Sequence, residues 1–274
     1  MALKELKIVV WCGSASNQKA LVNKIAAAYK VSGIVIDTGL INRRKRNWKQ
    51  LPVKILDRIR FRKIYAAWNS LLKQYDSEFP NWPDVPTLRV AGINDHKAKS
   101  FTDEIRPDLI LVSGTALIKE PLISIPASIG IINLHTGLSP YVKGGPNCTN
   151  WCIANNTLHL VGNTIMWLNA GIDTGNIITT EQVDIRNCRN LNEAHRLVME
   201  KAHLLYLRAV DYLHTHNAPY HSIPQHTIDN GNLYLTKMWT AQKKAALLRN
   251  WKKKETLALA ERPQTVSLKS ERGS

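Results

Sequence analysis

The sequence predicts an α/β fold: a Rossmann-like, mostly parallel sheet flanked by helices, with an added hairpin and a small C-terminal extension. Three observations carry this. A strand, a glycine turn, a helix and a second strand follow one another over residues 7–37. Two more apolar runs of strand length stand at Leu109–Ser113 (LILVS) and Gly130–Leu134 (GIINL). A pair of strand-like runs is then joined by the Gly/Asp-rich connection AGIDTG. Short continuous apolar strands spaced by helical stretches belong to a parallel sheet covered on both faces.

Taken in order, Lys7–Cys12 (KIVVWC) is the first strand, and GSAS is the turn after it. Asn17–Tyr29 is the helix, and Gly33–Asp37 (GIVID) completes a βαβ unit. From about residue 42 to 82 the chain is basic and Trp-bearing, and it reads as a helical insertion closed by Phe79–Pro86 (FPNWPDVP). Leu158–Asn169 and Asn176–Ile185 form the hairpin-like addition. Leu191–His216 is a long amphipathic helix, with Leu197, Leu204, Leu205, Leu207 and Val210 assigned to its apolar side. Beyond His221 the chain is polar, with a short strand at Leu233–Thr236 and a basic helix from about Thr240. The division expected is a main domain over 1–216 and an extension over 217–274.

The 274 residues suffice for a sizeable core, and 44% of them are hydrophobic. No apolar run reaches the ~18 residues of a membrane span. The N-terminal MALKELKIVVWC lacks the apolar length of a signal peptide, so a cytoplasmic protein is expected. Cys12, Cys148, Cys152 and Cys188 are too few and scattered for a disulfide framework; half-buried reduced thiols are expected instead. Cys148 and Cys152 can share a helix face, but no second Cys/His pair stands at ligand spacing, so no metal site is predicted.

Charge is the unusual quantity. The chain carries 37 Lys+Arg against 21 Asp+Glu, a formal +16, concentrated in Asn42–Lys63 and Lys243–Lys254. Such a field attracts nucleic acid, anionic membrane or phosphorylated small molecules. Apolar residues interleave with the cations, so both runs read first as amphipathic helices with solvated basic faces. For the insertion, packing on the protein's own sheet or on a partner subunit is favoured over an anionic membrane leaflet. A segment anchored at both ends must pack to offset its ordering entropy.

Two places carry candidate chemistry. Gly13-Ser14-Ala15-Ser16-Asn17 follows a strand and opens a helix, where backbone N–H groups can hold an anion. It has neither the Walker nor the GxGxxG pattern, and a plain N-cap turn fits it as well. The second is Gly130–Gly175. Asn133 and His135 alternate with Leu134 at the end of an apolar strand, so they project to one side. The carboxyl ends of parallel strands are where open α/β sheets build sites. His135 runs into a loop with Pro140, Gly144 and Gly145, and Asp173 lies in a second glycine loop. An amide that can stabilise an oxyanion, an imidazole that can handle an amine proton and a carboxylate that can orient or charge it suit acyl transfer to an amine. With no GxSxG elbow, direct transfer fits better than a covalent intermediate. A strand-end Asn and His satisfied by loop backbone, beside a turn Asp, remains the plain alternative.

The segment resembles the signature of the 10-formyltetrahydrofolate-dependent formyltransferases. The residues that carry the resemblance are Asn133-Leu134-His135, Leu138, Pro140, Gly144, Pro146, Trp151 and Asp173-Thr174-Gly175, within a likeness spanning about Leu6 to Leu213. The resemblance implies that Asn133 polarises a formyl oxygen, His135 acts in proton transfer and oxyanion stabilisation, and Asp173 tunes that step. It implies 10-formyltetrahydrofolate as donor, its pterin held largely by main chain at Gly114, Thr115, Ala116, Leu117 and Ile118 and at Gly171 and Ile172. On the acceptor side it points to Gly13, Ser14, Ser16, Asn17, Lys143 and Gly144. Gly137-Leu138-Ser139-Pro140 departs from the family's usual Ser-Leu-Leu-Pro run, and the purine enzyme lacks the insertion.

The acceptor expected is an amino sugar, phosphorylated or nucleotide-linked, because sugar N-formyltransferases decorate the core with extra segments and a basic surface suits such substrates. Glycinamide ribonucleotide is the alternative, supported by the Gly13–Asn17 loop. Methionyl-tRNA ranks last, since the residues after the core read as helical and polar rather than as a tRNA-gripping β-barrel, and no nucleic-acid partner is favoured. A homodimer and peripheral membrane contact are further expectations. A catalytically inactive binding module is the alternative outside enzymes, and the intact Asn133/His135/Asp173 set argues against it.

Overall fold

The computed structural model describes residues 5–39, 51–145, 147–256 and 262–268. The basic run Arg43–Arg46 of the insertion and the signature residue Pro146 lie outside the described residues. Seven strands form one sheet: β1 (Ile8–Gly13), β2 (Val31–Asp37), β3 (Thr87–Val90), β4 (Leu109–Ser113), β5 (Gly130–His135), β7 (Gly162–Trp167) and β8 (Ile177–Gln182). Their order is β3-β2-β1-β4-β5-β7-β8. The first five are parallel, and β7 and β8 add an antiparallel hairpin to β5.

Strand alternation splits the core into two layers. Ile8, Val10 and Cys12 face α1 (Ser16–Ala28) and the long helix α6 (Leu191–Thr215), whose Leu205, Ala209 and Val210 are buried there. Val9 and Trp11 face the opposite side, where α4 (His96–Ile105) and the stretch Ile118–Ile125 cover them. Strand order leaves β1 in opposite directions, toward β2 and β3 on one side and β4 and β5 on the other. At such a switch point the connecting chains part and a crevice opens at the carboxyl ends. There Gly13 and Gly114 touch: a Cβ on Gly13 would fall against the Gly114 carbonyl, and Gly114 itself has φ +64°.

Several elements differ from the sequence reading. The short strand β3 and helix α4 were not anticipated, β3 because four residues with exposed Thr87 and Arg89 show no apolar run. Leu158–Leu160 winds a 3₁₀ turn, so the strand expected from Leu158 begins at Gly162. Leu204 is exposed, off the buried stripe of α6 that carries Leu205 and Val210. All four cysteines are free and fully buried, not half-buried.

The insertion contains two helices, α2 (Leu51–Arg60) and α3 (Arg62–Glu78). Helix α3 packs on α1 and α6, burying Ile64, Ala67, Leu71 and Tyr75. Among the described apolar residues of helix α2, Val53, Ile55, Leu56 and Ile59 are exposed. Its hold on the body is Asp57, which accepts a 2.6 Å ion-pair contact from Lys244 and the Tyr65 hydroxyl.

Residues 217–256 lie against the body. The last described helix, α7 (Ala241–Trp251), packs on α5 (Cys148–Ala154) and buries Leu247. Strand β9 (Asn232–Tyr234) pairs with β6 (Val142–Gly144) in a separate two-stranded sheet. Farther on, Val266 exchanges backbone and side-chain hydrogen bonds with Thr180 of β8.

Candidate active site

Strand β5 ends on the same carboxyl edge of the sheet as β1 and β4, with which it runs parallel. Its neighbours bring three strand ends level: Val112 of β4 is in register with Asn133, and Met166 and Thr164 of β7 face Asn133 and His135. Asn133 and His135 stand two residues apart and point to the same side, as the alternation requires. The Asp173 loop comes up beside them from the turn between β7 and β8. Asp173 has φ +51°, a left-handed conformation that Asp tolerates better than most residues.

The three side chains meet. His135 Nδ1 lies 3.2 Å from Asp173 Oδ2, and Asn133 Nδ2 donates to Asp173 Oδ1 across 3.4 Å. The Gly144 N–H also donates to Asp173 Oδ2, at 2.9 Å. On its other side the imidazole Nε2 lies 2.9 Å from the Val142 carbonyl and 3.7 Å from Cys148 Sγ. Both ring nitrogens thus face oxygen acceptors, and only the imidazolium has a proton for each. Burial pulls the His135 pKa down. The Asp173 carboxylate, the Cys148 sulfur and the Val142 carbonyl outweigh it and raise the pKa to about 10. These partners favour the charged form of the buried ring at neutral pH, in a low-dielectric setting where a charge acts strongly. A Cβ on Gly137 would strike His135 Nε2 and the Val142 carbonyl, so only glycine lets the loop close over the ring.

A family model of formyl transferases matches residues 6–210. The chain belongs to the formyl transferase family. Among curated relatives, a methionyl-tRNA formyltransferase from Syntrophus aciditrophicus (strain SB) is 32% identical over 135 residues, 49% of this chain and 43% of that protein. The chain spans less than half the length of the curated relatives it matches. A sugar N-formyltransferase from Shewanella sp superposes with TM-score 0.56 at 16% identity, over 90% of this chain and 88% of that one. A phosphoribosylglycinamide formyltransferase from Anaplasma phagocytophilum gives TM-score 0.54 at 15% identity, over 85% and 100%. At these identities the likeness shows a shared fold.

In this formyl transferase fold the residues expected to hold the donor lie on two loop edges, one after β4 and one between β7 and β8. Gly114–Ile118 leaves the end of β4. The Ala116 N–H is tied to Asp37 at the end of β2 (3.1 Å), and the Leu117 carbonyl accepts from Asn94 (2.9 Å). Ile118 is buried, while the Leu117 side chain is 43% exposed. On the other edge the Gly171 N–H is held by Asn169 (3.1 Å), and Ile172 is 39% exposed. Thr115 lies between Gly114 and Ala116 and is half-buried.

The expected acceptor residues are not all gathered. Gly144 sits in the trio through its N–H, but Lys143 reaches away to the Asn230 carbonyl (2.9 Å). Gly13 and Ser14 lie at the end of β1; Ser14 Oγ has no hydrogen-bond partner among the described residues. Ser16 Oγ points to Asp76 (3.4 Å), and Asn17 is buried with its amide nitrogen 3.8 Å from Met199 Sδ. Among the described residues no group of three His, Cys, Asp or Glu side chains is placed to hold a metal ion.

Sequence reasoning missed four contributors. The Val142 carbonyl and Cys148 flank the imidazole. Gln225 Nε2 donates to the carbonyls of Asp173 and Gly175, both at 2.8 Å, and pins the carboxylate loop. The buried Tyr206 hydroxyl lies between β4 and β5, accepting from the Val112 N–H (2.8 Å) and donating to the Ile132 carbonyl (2.9 Å), one residue before Asn133. A carbonyl has no sequence signature, and Gln225 is ninety positions of chain from His135, so only the fold reveals them.

The histidines make stability depend on pH in both directions. Folded His135 holds its proton more tightly than the unfolded chain does, so its contribution is full below about 6.5 and is lost as pH rises toward about 10. His195 and His203 are buried and neutral. Burial, joined at His203 by Lys24, lowers them to about 4 and about 3, so their effect appears as stability lost when pH falls below about 6.5. Buried Cys152, raised to about 12, resists ionisation and adds loss only above about 9. Urea midpoints measured against pH should therefore peak near 6.5. The decline between about 6.5 and 9 should flatten in His135→Asn; an unchanged slope would show that His135 is neutral in the folded protein.

Proposed function

We propose that this chain moves a formyl group from 10-formyltetrahydrofolate to the primary amine of an amino sugar. The observation that carries the chemistry is the geometry of the trio: His135 held between the Asp173 carboxylate and the Val142 carbonyl, beside the Asn133 amide at the carboxyl end of β5. The folate supplies a formyl carbon bonded to a nitrogen that can leave. The residues present fit such a donor. Leu117 and Ile172 offer apolar side chains to a flat ring, and Gly114 leaves main chain open where a Cβ would meet Gln18.

The Asn133 amide, which has a second N–H beyond the one on Asp173, donates to the negative charge that develops on the formyl oxygen as the amine nitrogen attacks, and the charged His135 ring beside it stabilises that charge through its field. Because His135 arrives protonated, its first role is to stabilise that charge; accepting the amine's proton requires that it first lose its own. Asp173 keeps the imidazole charged and oriented, and it is itself held by the Gly144 N–H and by Gln225 through its backbone. The amine loses one proton overall and the departing nitrogen gains one.

What supports the sugar is extent of match. The Shewanella sugar N-formyltransferase superposes on 90% of this chain against 85% for the Anaplasma phosphoribosylglycinamide formyltransferase, while the methionyl-tRNA formyltransferases, aligned by sequence, match less than half of it. Identity favours the second reading, since those curated relatives are the ones above 30%. Formyl transfer assayed against nucleotide-linked and free amino sugars, glycinamide ribonucleotide and methionyl-tRNA separates them. Turnover of an amino sugar at least tenfold above the others supports the proposal; preferential turnover of tRNA or of glycinamide ribonucleotide overturns it.

A further inference from the structure

The basic insertion holds a surface that the chemistry above does not use. Every described side chain of helix α2 from Pro52 to Arg60 is exposed except Asp57. That includes four large apolar residues: Val53 at 67%, Ile55 at 49%, Leu56 at 66% and Ile59 at 64% exposed. Spacings of three and four place Ile55, Leu56 and Ile59 on one stripe, with Val53 one turn before Leu56. Lys54 and Arg58 border the stripe on one side and Arg60 on the other, all exposed. An isolated exposed Leu means little, but a contiguous apolar stripe rimmed by charge marks a contact surface.

We propose that helix α2 is a docking face for an anionic lipid surface, with its apolar stripe immersed among the acyl chains and its cations at the headgroups. Charge complementarity decides the occupant. The only acidic residue of α2, Asp57, is turned into the body, where Lys244 and Tyr65 hold it. The outward face is therefore apolar and cationic, as in helices that lie in the plane of a bilayer surface. Arg62 and Lys63, just beyond its end, are exposed as well, and long basic stems can cover apolar surface while their charges reach the headgroups.

A second copy of this chain fits the face poorly. Pairing two such helices would set Lys54, Arg58 and Arg60 of each against those of the other, with no carboxylate between them. Nucleic acid would satisfy the cations but offers its phosphate backbone nothing for Ile55, Leu56 and Ile59. The anchorage through Asp57 to α7 and through α3 to α1 and α6 holds the stripe outward while the sheet and crevice stay on the body side.

Co-sedimentation of the full chain with vesicles tests this. One set is phosphatidylcholine alone, and the other is a two-to-one mixture of phosphatidylcholine and phosphatidylserine. Binding is expected to the mixture and not to phosphatidylcholine alone, and to weaken as salt is raised. The pair Leu56→Ser and Ile59→Ser should weaken binding at least about tenfold, because two buried apolar side chains are removed from the bilayer contact. Arg58→Gln with Arg60→Gln should also weaken it, while thermal melting of both variants stays as in the unaltered chain because these side chains are exposed. No binding to the mixed vesicles overturns the proposal. So does unchanged binding of the Leu56/Ile59 variant, which would reduce the effect to adsorption of a +16 protein. A dimer in solution that the same variant dissociates, or a protein partner that competes for the face in place of vesicles, would overturn it too.

Discussion

His135→Ala and Asn133→Ala should each lower turnover about 10²–10³-fold while leaving folate affinity and the fold largely intact. Each variant removes one group that acts on charge existing mainly in the transition state, so the loss belongs in kcat rather than in KM. The double variant should lose less than the product of the two, since both groups act on the same oxygen. Single-turnover formyl transfer, run beside a folate titration, reads this directly. A variant that kept more than a third of the turnover, in an assay limited by chemistry, would remove that residue from the proposed machinery.

Asp173→Asn should be as damaging, by a different route. The change keeps the shape but withdraws the charge that holds His135 protonated, 3.2 Å away. Burial then prevails, and the imidazole titrates well below its present value of about 10. At neutral pH the ring enters as a neutral donor, and turnover should fall by about 10² or more. Ring nitrogen shifts of His135 followed by NMR give a readout that a purely structural lesion would not move. In the unaltered chain both nitrogens should stay protonated through pH 8, and in Asp173→Asn one should lose its proton. If His135 stays doubly protonated in the variant, Asp173 is not what sustains its charge.

Much of this was legible in the chain because buried parallel strands are written as apolar runs. β1, β2, β4 and β5 fall within a residue or two of their sequence readings. Asn133 and His135 were legible for the same reason: two polar residues at spacing two on the end of such a run have to share a side. β3 was not, since an edge strand of four residues with Arg89 exposed carries no such run. Periodicity also reveals that α2 has an apolar stripe without telling which way the stripe faces. The orientation follows from a single ion pair, Asp57 with Lys244, between residues 187 positions apart. The charge of His135 was equally hidden, because it depends on the Val142 carbonyl and on how deeply the loop buries the ring.

The small sheet of β6 and β9 ties the timing of the site to residues well beyond the main sheet in sequence. The Val142 carbonyl that faces His135 belongs to β6, whose strand partner is β9; Gln225, which pins the Asp173 loop, lies only a few residues before β9. During synthesis all seven strands of the main sheet are made before residues 225–234 exist. The crevice can thus form early, with Asn133 and His135 already on its edge, while both loops that charge the imidazole still lack their clamp. Contacts of such sequence separation close late. A nascent chain of this protein would therefore carry a formed scaffold and an unfinished site, and the competence to react would arrive with residues 225–234 rather than with the core.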